Sequence, residues 1–126
     1  MPPTHVPIER IAVGSSGGVT GYGRGYRIER YGTIDEWELR SGSTFIVSTA
    51  KLPASSVRTL FDHTASLRLD TLDINETGNM TYWIEIANDN SIHRILWNTT
   101  DHLPEDVVRW YDSLLRFCRK AISGND

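Results

Sequence analysis

The stretch Gly14-Ser15-Ser16-Gly17-Gly18-Val19-Thr20-Gly21-Tyr22-Gly23-Arg24-Gly25 holds six of the chain's ten glycines, interleaved with Ser, Thr and Tyr. Glycine is used where the backbone takes positive φ or approaches something closely, and each one costs conformational entropy on folding. Runs of strand character flank this stretch, Ile8 to Val13 before it and Tyr26 to Tyr31 after it. Two readings of such a joint stand side by side. It is a long hairpin whose glycines serve twist and turns, or a shaped backbone surface for a partner. The rest of the chain reads as scaffold for it.

Downstream of the joint, Tyr26 to Tyr31 and Asp35 to Arg40 alternate apolar and charged residues with period two, the pattern of strands with one wet face. Gly32-Thr33 and Ser41-Gly42-Ser43 supply turns, and Thr44 to Ser48 continues as a further strand. The period then changes. Pro53 opens a helix in which Val57, Leu60, Phe61 and Ala65 fall at helical spacing, ending near Leu67. Asn75 to Asn79 reads as a loop. Met80 to Ala87 and Ile92 to Thr99 form the clearest hairpin, closed by Asn88 to Ser91, and apolar residues on both faces mark central strands. Pro104-Glu105-Asp106 opens a final helix and Arg116, Arg119 and Lys120 close it, matching the macrodipole at both ends. Its stripe is Val107, Tyr111, Leu114, Leu115, Cys118 and Ile122. The order implies an α+β fold: an antiparallel sheet of about four to six strands with two helices packed on it. Residues 1–7, with three prolines, read as an extended tail, 8–122 as a single domain and 123–126 as a C-terminal tail.

Charge and cysteine content narrow the function. The net charge of −3 and pI near 5.8 give no basic field, and the cations are scattered arginines, so neither nucleic acid nor a membrane surface is the expected partner. Cys118 is the only cysteine, which removes an internal disulfide and a Cys-rich zinc site. Residues 1–7 lack the charged and apolar regions of a signal peptide; a removed leader aside, that start points to the cytoplasm.

No catalytic constellation assembles. Asp62-His63 sits in the first helix without a Ser or Cys in a nucleophile context, and a solvent-facing pair is the better reading. His5, His63, His93 and His102 are dispersed and show no ligand spacing. Cys118 falls on the apolar stripe, where a thiol behaves as a small hydrophobe. Gly21-Tyr22-Gly23-Arg24-Gly25 lacks the third glycine of a dinucleotide loop and leads into a strand, so no helix N-terminus is there to hold a phosphate. The expectation is a non-enzymatic protein with no catalytic residue, cofactor or metal site, whose partner is another protein.

One family carries these motifs. Ser16-Gly17-Gly18-Val19-Thr20-Gly21 after an N-terminal strand resembles the Ser-Gly-Gly-hydrophobic-small-Gly signature of emfourin-like proteins, small bacterial inhibitors of protealysin-like metalloproteases. Leu52-Pro53, Tyr82, His93 and the helix after Pro104 follow in matching order. A nearer likeness is to bacterial proteins that combine Gly17 to Gly21 and Gly25-Tyr26-Arg27-Ile28 with a hairpin of the kind Gly78-Asn79-Met80-Thr81-Tyr82 and His93-Arg94-Ile95-Leu96-Trp97. The resemblance covers most of residues 10–120. It implies inhibition of a thermolysin-type protease by insertion of the loop 15–25 into the active-site cleft. Ser16, Gly17, Gly18, Val19, Thr20 and Gly21 would form the binding loop. It also implies that Val19 fills the pocket for the residue after the scissile bond, with a backbone carbonyl or the Ser16 hydroxyl facing the zinc. The alternative is a non-inhibitory interaction module.

Overall fold

The computed structural model describes residues 8–17, 21–88 and 90–124. Four strands come first: β1 (Arg10–Gly17), β2 (Tyr22–Glu29), β3 (Thr33–Arg40) and β4 (Ser43–Lys51). Helix α1 (Ala54–Ser66) and a 3-10 turn (Leu69–Thr71) lead to β5 (Met80–Ala87), β6 (Ile92–Trp97) and α2 (Glu105–Ser123). The six strands form one antiparallel sheet in the order β4-β3-β2-β1-β5-β6. This is the expected α+β fold.

Register explains how the sheet acquires two different faces. Ala50, Ile34, Ile28, Ile11, Ile86 and His93 lie side by side in one row across all six strands. The next row on that face is Ser48, Glu36, Tyr26, Val13, Ile84 and Ile95, and the one after it carries Glu38, Arg24, Ser15, Tyr82 and Trp97. The aliphatic members of these rows, apart from the half-buried Ala50, are buried and join Val57, Phe61, Val107, Leu114 and Cys118 of the two helices in a single core. Burial of this kind stabilises by about 1.5–3 kcal/mol per large apolar side chain. The core therefore sits toward the first row, and the face turns polar toward the end of the sheet that carries the β1–β2 connection.

The glycine run differs from its expected form. It is not a loop from 15 to 25: residues up to Gly17 belong to β1 and those from Tyr22 belong to β2, leaving only 18–21 between the strands. The reason lies on the opposite face. There Ile46, Trp37, Gly25, Gly14, Trp83 and Leu96 form one row. The two glycines are paired at its centre, and the rings of Trp37 and Trp83 approach to 5.4 Å between centroids, with 15° between their planes. A Cβ on Gly14 would lie 2.6 Å from Trp37 Cζ2, and one on Gly25 would lie 2.5 Å from the same atom. Two glycines deep in strands thus make the space into which a tryptophan from β3 folds.

Smaller differences follow the same logic of pairing. Segment 74–76 is not free loop. Leu96 N donates to Ile74 O (3.0 Å) and Glu76 N donates to Leu96 O (2.9 Å), so this segment lies along the outer edge of β6. In α2, Trp110 joins Val107, Tyr111, Leu114 and Cys118 as a buried residue, and its Nε1 has no hydrogen-bond partner. Leu115 and Ile122 are only partly buried. Cys118 is fully buried and its thiol is pushed up to about 12 by burial, consistent with core packing. Asp62 and His63 are both exposed.

Candidate functional site

The polar end of the sheet brings together what the sequence offered at the glycine run. β1 is paired on both sides to its last residue: Gly17 lies opposite Tyr22 on β2 and opposite Met80 on β5. Gly17 has φ +137°, and a Cβ there would collide with the Asn79 carbonyl. Gly21 has φ +66° with open space around it. Both conformations strongly favour glycine, the first by backbone geometry and close approach together, the second by geometry alone. Of the predicted loop residues, Ser16 and Gly17 are the half-buried end of β1 and Gly21 is an exposed turn residue. Gly18, Val19 and Thr20 lie outside the described residues, as do 1–7 and, of the expected tail 123–126, residues 125–126; Ser123 is the last residue of α2 and Gly124 follows it.

Two apolar side chains flank this end, Tyr22 at 40% exposure and Met80 at 42%. Composition alone gave no indication that Met80 stands beside the glycine hairpin, because the two are joined only by the β1–β5 pairing across more than sixty residues. The quoted Gly78-Asn79-Met80 motif was the available signal.

Helix α2 is clamped over the same end. Tyr111, buried, donates its hydroxyl proton to Gly14 O at 2.9 Å. Its ring meets Trp97 edge-on, with centroids 4.9 Å apart and planes at 79°, and Trp97 in turn stacks on Tyr82. Burial pushes the Tyr111 hydroxyl well above the usual phenol range, so it remains a donor across the physiological range. Between α2 and the sheet lies a pocket of about 200 Å³ bordered by Arg24, Tyr26, Glu36, Tyr82, Asp112 and Arg119. Tyr26 is raised first by burial and then by the Glu36 carboxylate, with Arg119 and Arg24 pulling the other way. The sequence reading missed this pocket, since its lining comes from four strands and a helix.

A second cavity of about 400 Å³ runs between the helices, with Leu60, Trp110, Leu114 and Phe117 in its walls and His63 and Ser113 beside them. His63 thus borders a hollow, but Asp62 makes no hydrogen bond to it among the described residues. Nor do the described residues hold three His, Cys, Asp or Glu side chains in a group able to bind a metal ion. Among the described residues no helix is long and apolar enough to cross a membrane.

No family model and no curated protein matches this sequence.

Proposed function

We propose that this chain is a non-enzymatic, protein-binding domain of the inhibitor type, and that its β1–β2 hairpin end is presented to the active-site cleft of a thermolysin-type metalloprotease. The observation that carries this reading is the root of the hairpin. β1 is held by neighbours on both sides as far as Gly17, and positive-φ glycines stand at positions 17 and 21, on either side of the tip. A short connection on a rigid root loses little freedom when it enters a cleft, so more of the contact energy appears as affinity. By sequence the connection carries one apolar side chain, Val19, with glycine at 18 and 21. Exposed Tyr22 and Met80 at its base would extend the contact.

The test is titration of the protein against a panel of thermolysin-type proteases, with serine and cysteine proteases as controls. Stoichiometric, active-site-directed inhibition confined to the metalloproteases is expected, and Gly18→Trp should weaken it at least tenfold. Full protease activity at micromolar protein removes the inhibitor reading. The exposed Tyr22 and Met80 then favour the second reading, a protein-interaction module that uses the same end of the sheet for another partner.

A further inference from the structure

We infer that the pocket between α2 and the inner face of the sheet is a binding site for a free α-amino acid with an apolar or aromatic side chain. The walls of this pocket carry four charges. Arg24 of β2 and Glu36 of β3 stand on the sheet side, and Asp112 and Arg119 of α2 stand on the helix side. Each wall thus holds one cation and one carboxylate.

Elsewhere on the sheet, neighbouring charges meet across strands: Arg27 pairs with Asp35 at 3.0 Å and Arg94 with Glu85 at 2.6 Å. Around the pocket they do not. Among the described residues, the side chains of Arg24, Glu36, Asp112 and Arg119 form neither an ion pair nor a hydrogen bond, and the Tyr26 hydroxyl between them forms no hydrogen bond. Yet Glu36, Arg119 and Arg24 all lie close enough to Tyr26 to act on the ionisation of its phenol. The groups converge on one hollow with their bonding capacity unused.

The chemistry of the lining selects the occupant. A simple anion meets two carboxylates along with the two guanidinium groups, and a simple cation meets the reverse; a small zwitterion complements both signs. Its carboxylate accepts from Arg24 and Arg119, whose planar forks suit that group, and from the Tyr26 hydroxyl. Its ammonium donates to Glu36, and Asp112 adds a second carboxylate on the helix wall. The buried Tyr111 and the partly buried Tyr82 and Leu115 supply apolar surface for the side chain. The volume of about 200 Å³ lies below the range of about 300–1,000 Å³ usual for drug-sized ligands, which fits one amino acid and not a peptide. The site is also preformed, because the Tyr111 hydroxyl bond to Gly14 O, at 2.9 Å, ties α2 to the sheet at the pocket wall.

Titration of the wild-type chain with L-phenylalanine or L-leucine through the millimolar range, followed by amide chemical shifts in heteronuclear NMR, should give saturable changes at Arg24, Tyr26, Glu36 and Arg119. N-acetyl-L-phenylalanine, which lacks the ammonium, and L-phenylalanine methyl ester, which lacks the carboxylate, should each bind at least tenfold more weakly. Glu36→Gln and Arg119→Gln should each weaken L-phenylalanine at least tenfold with unchanged far-UV circular dichroism. Arg109→Gln, on the same helix and paired with Glu105 outside the pocket, should leave binding as it is. The absence of saturable shifts for both amino acids overturns the inference, as does equal binding of L-phenylalanine and either blocked form. Unchanged affinity in either Gln variant overturns it too. If a variant fails to fold, the comparison of free and blocked amino acids on the wild-type chain decides. Protease inhibition enters none of these readouts, so the two proposals stand or fall separately.

Discussion

Gly25 and Gly21 separate two uses of the same residue. Gly25 takes an ordinary strand conformation, and its need for hydrogen in place of a side chain comes from Trp37 and the Val13 carbonyl lying against it. Gly21 has open space but a left-handed backbone. Gly25→Ala should therefore cost about 1–3 kcal/mol through overpacking, and Gly21→Ala about 1–2 kcal/mol through backbone strain. Urea denaturation measures both. Trp37→Leu should recover part of the Gly25→Ala loss and none of the Gly21→Ala loss, because Gly25 lies under that ring and Gly21 does not. Tyr111→Phe leaves the Gly14 carbonyl without its buried donor and should cost about 1–2 kcal/mol. At this scale the sequence was a partial guide. It marked 14–25 as a place where side chains had to be absent, but the identity of what filled the space, a ring from β3, followed only from strand pairing.

Among the elements, the hairpin of β5 and β6 and the helix α2 were legible because their periodicity is local. Asn88 shows why the turn was readable: its Oδ1 accepts from the backbone N–H of Asn90 (2.8 Å) and Ser91 (2.9 Å), a closure that needs only residues three apart. The strap over β6 was not legible, since segment 74–76 has no pattern of its own and becomes ordered by the free edge it meets. Its contribution is measurable. Glu76→Pro removes the N–H that bonds Leu96 O, and should lower stability by about 1 kcal/mol. Hydrogen exchange at the Leu96 amide, which bonds Ile74 O, should speed up in that variant while the β1 amides keep their protection. The glycine hairpin was half legible: its position was evident, but its strands run to Gly17 and from Tyr22 because central pairing on both sides of β1 outweighs the low strand preference of glycine.

For the whole molecule, the buried Cys118 thiol and Tyr111 phenol tie stability to alkaline pH. Both groups are raised in the folded state, so the unfolded chain loses their protons first and stability falls as pH rises. The Cys118 contribution is fully present below its unfolded value near 9 and is lost between there and about 12; that of Tyr111 begins to go above 10. Thermal melts from pH 8 upward should show a falling midpoint, and Cys118→Ala should flatten the first part of that fall. The native thiol should also resist thiol reagents at pH 8 and react once the chain is unfolded. The sequence by itself determined the composition of the layers: which residues alternate, where the two helices run, and that α2 presents an apolar stripe to a sheet. Those are consequences of period and capping, which act within a few residues. Tertiary structure alone decided the neighbours. It placed β5 beside β1, set Trp37 against Trp83 over paired glycines, brought Met80 to the hairpin and bonded segment 74–76 to Leu96 at one edge of the sheet. Strand pairing joins segments far apart in the chain, and the alternation of a strand specifies which face is buried without specifying which strand lies next to it.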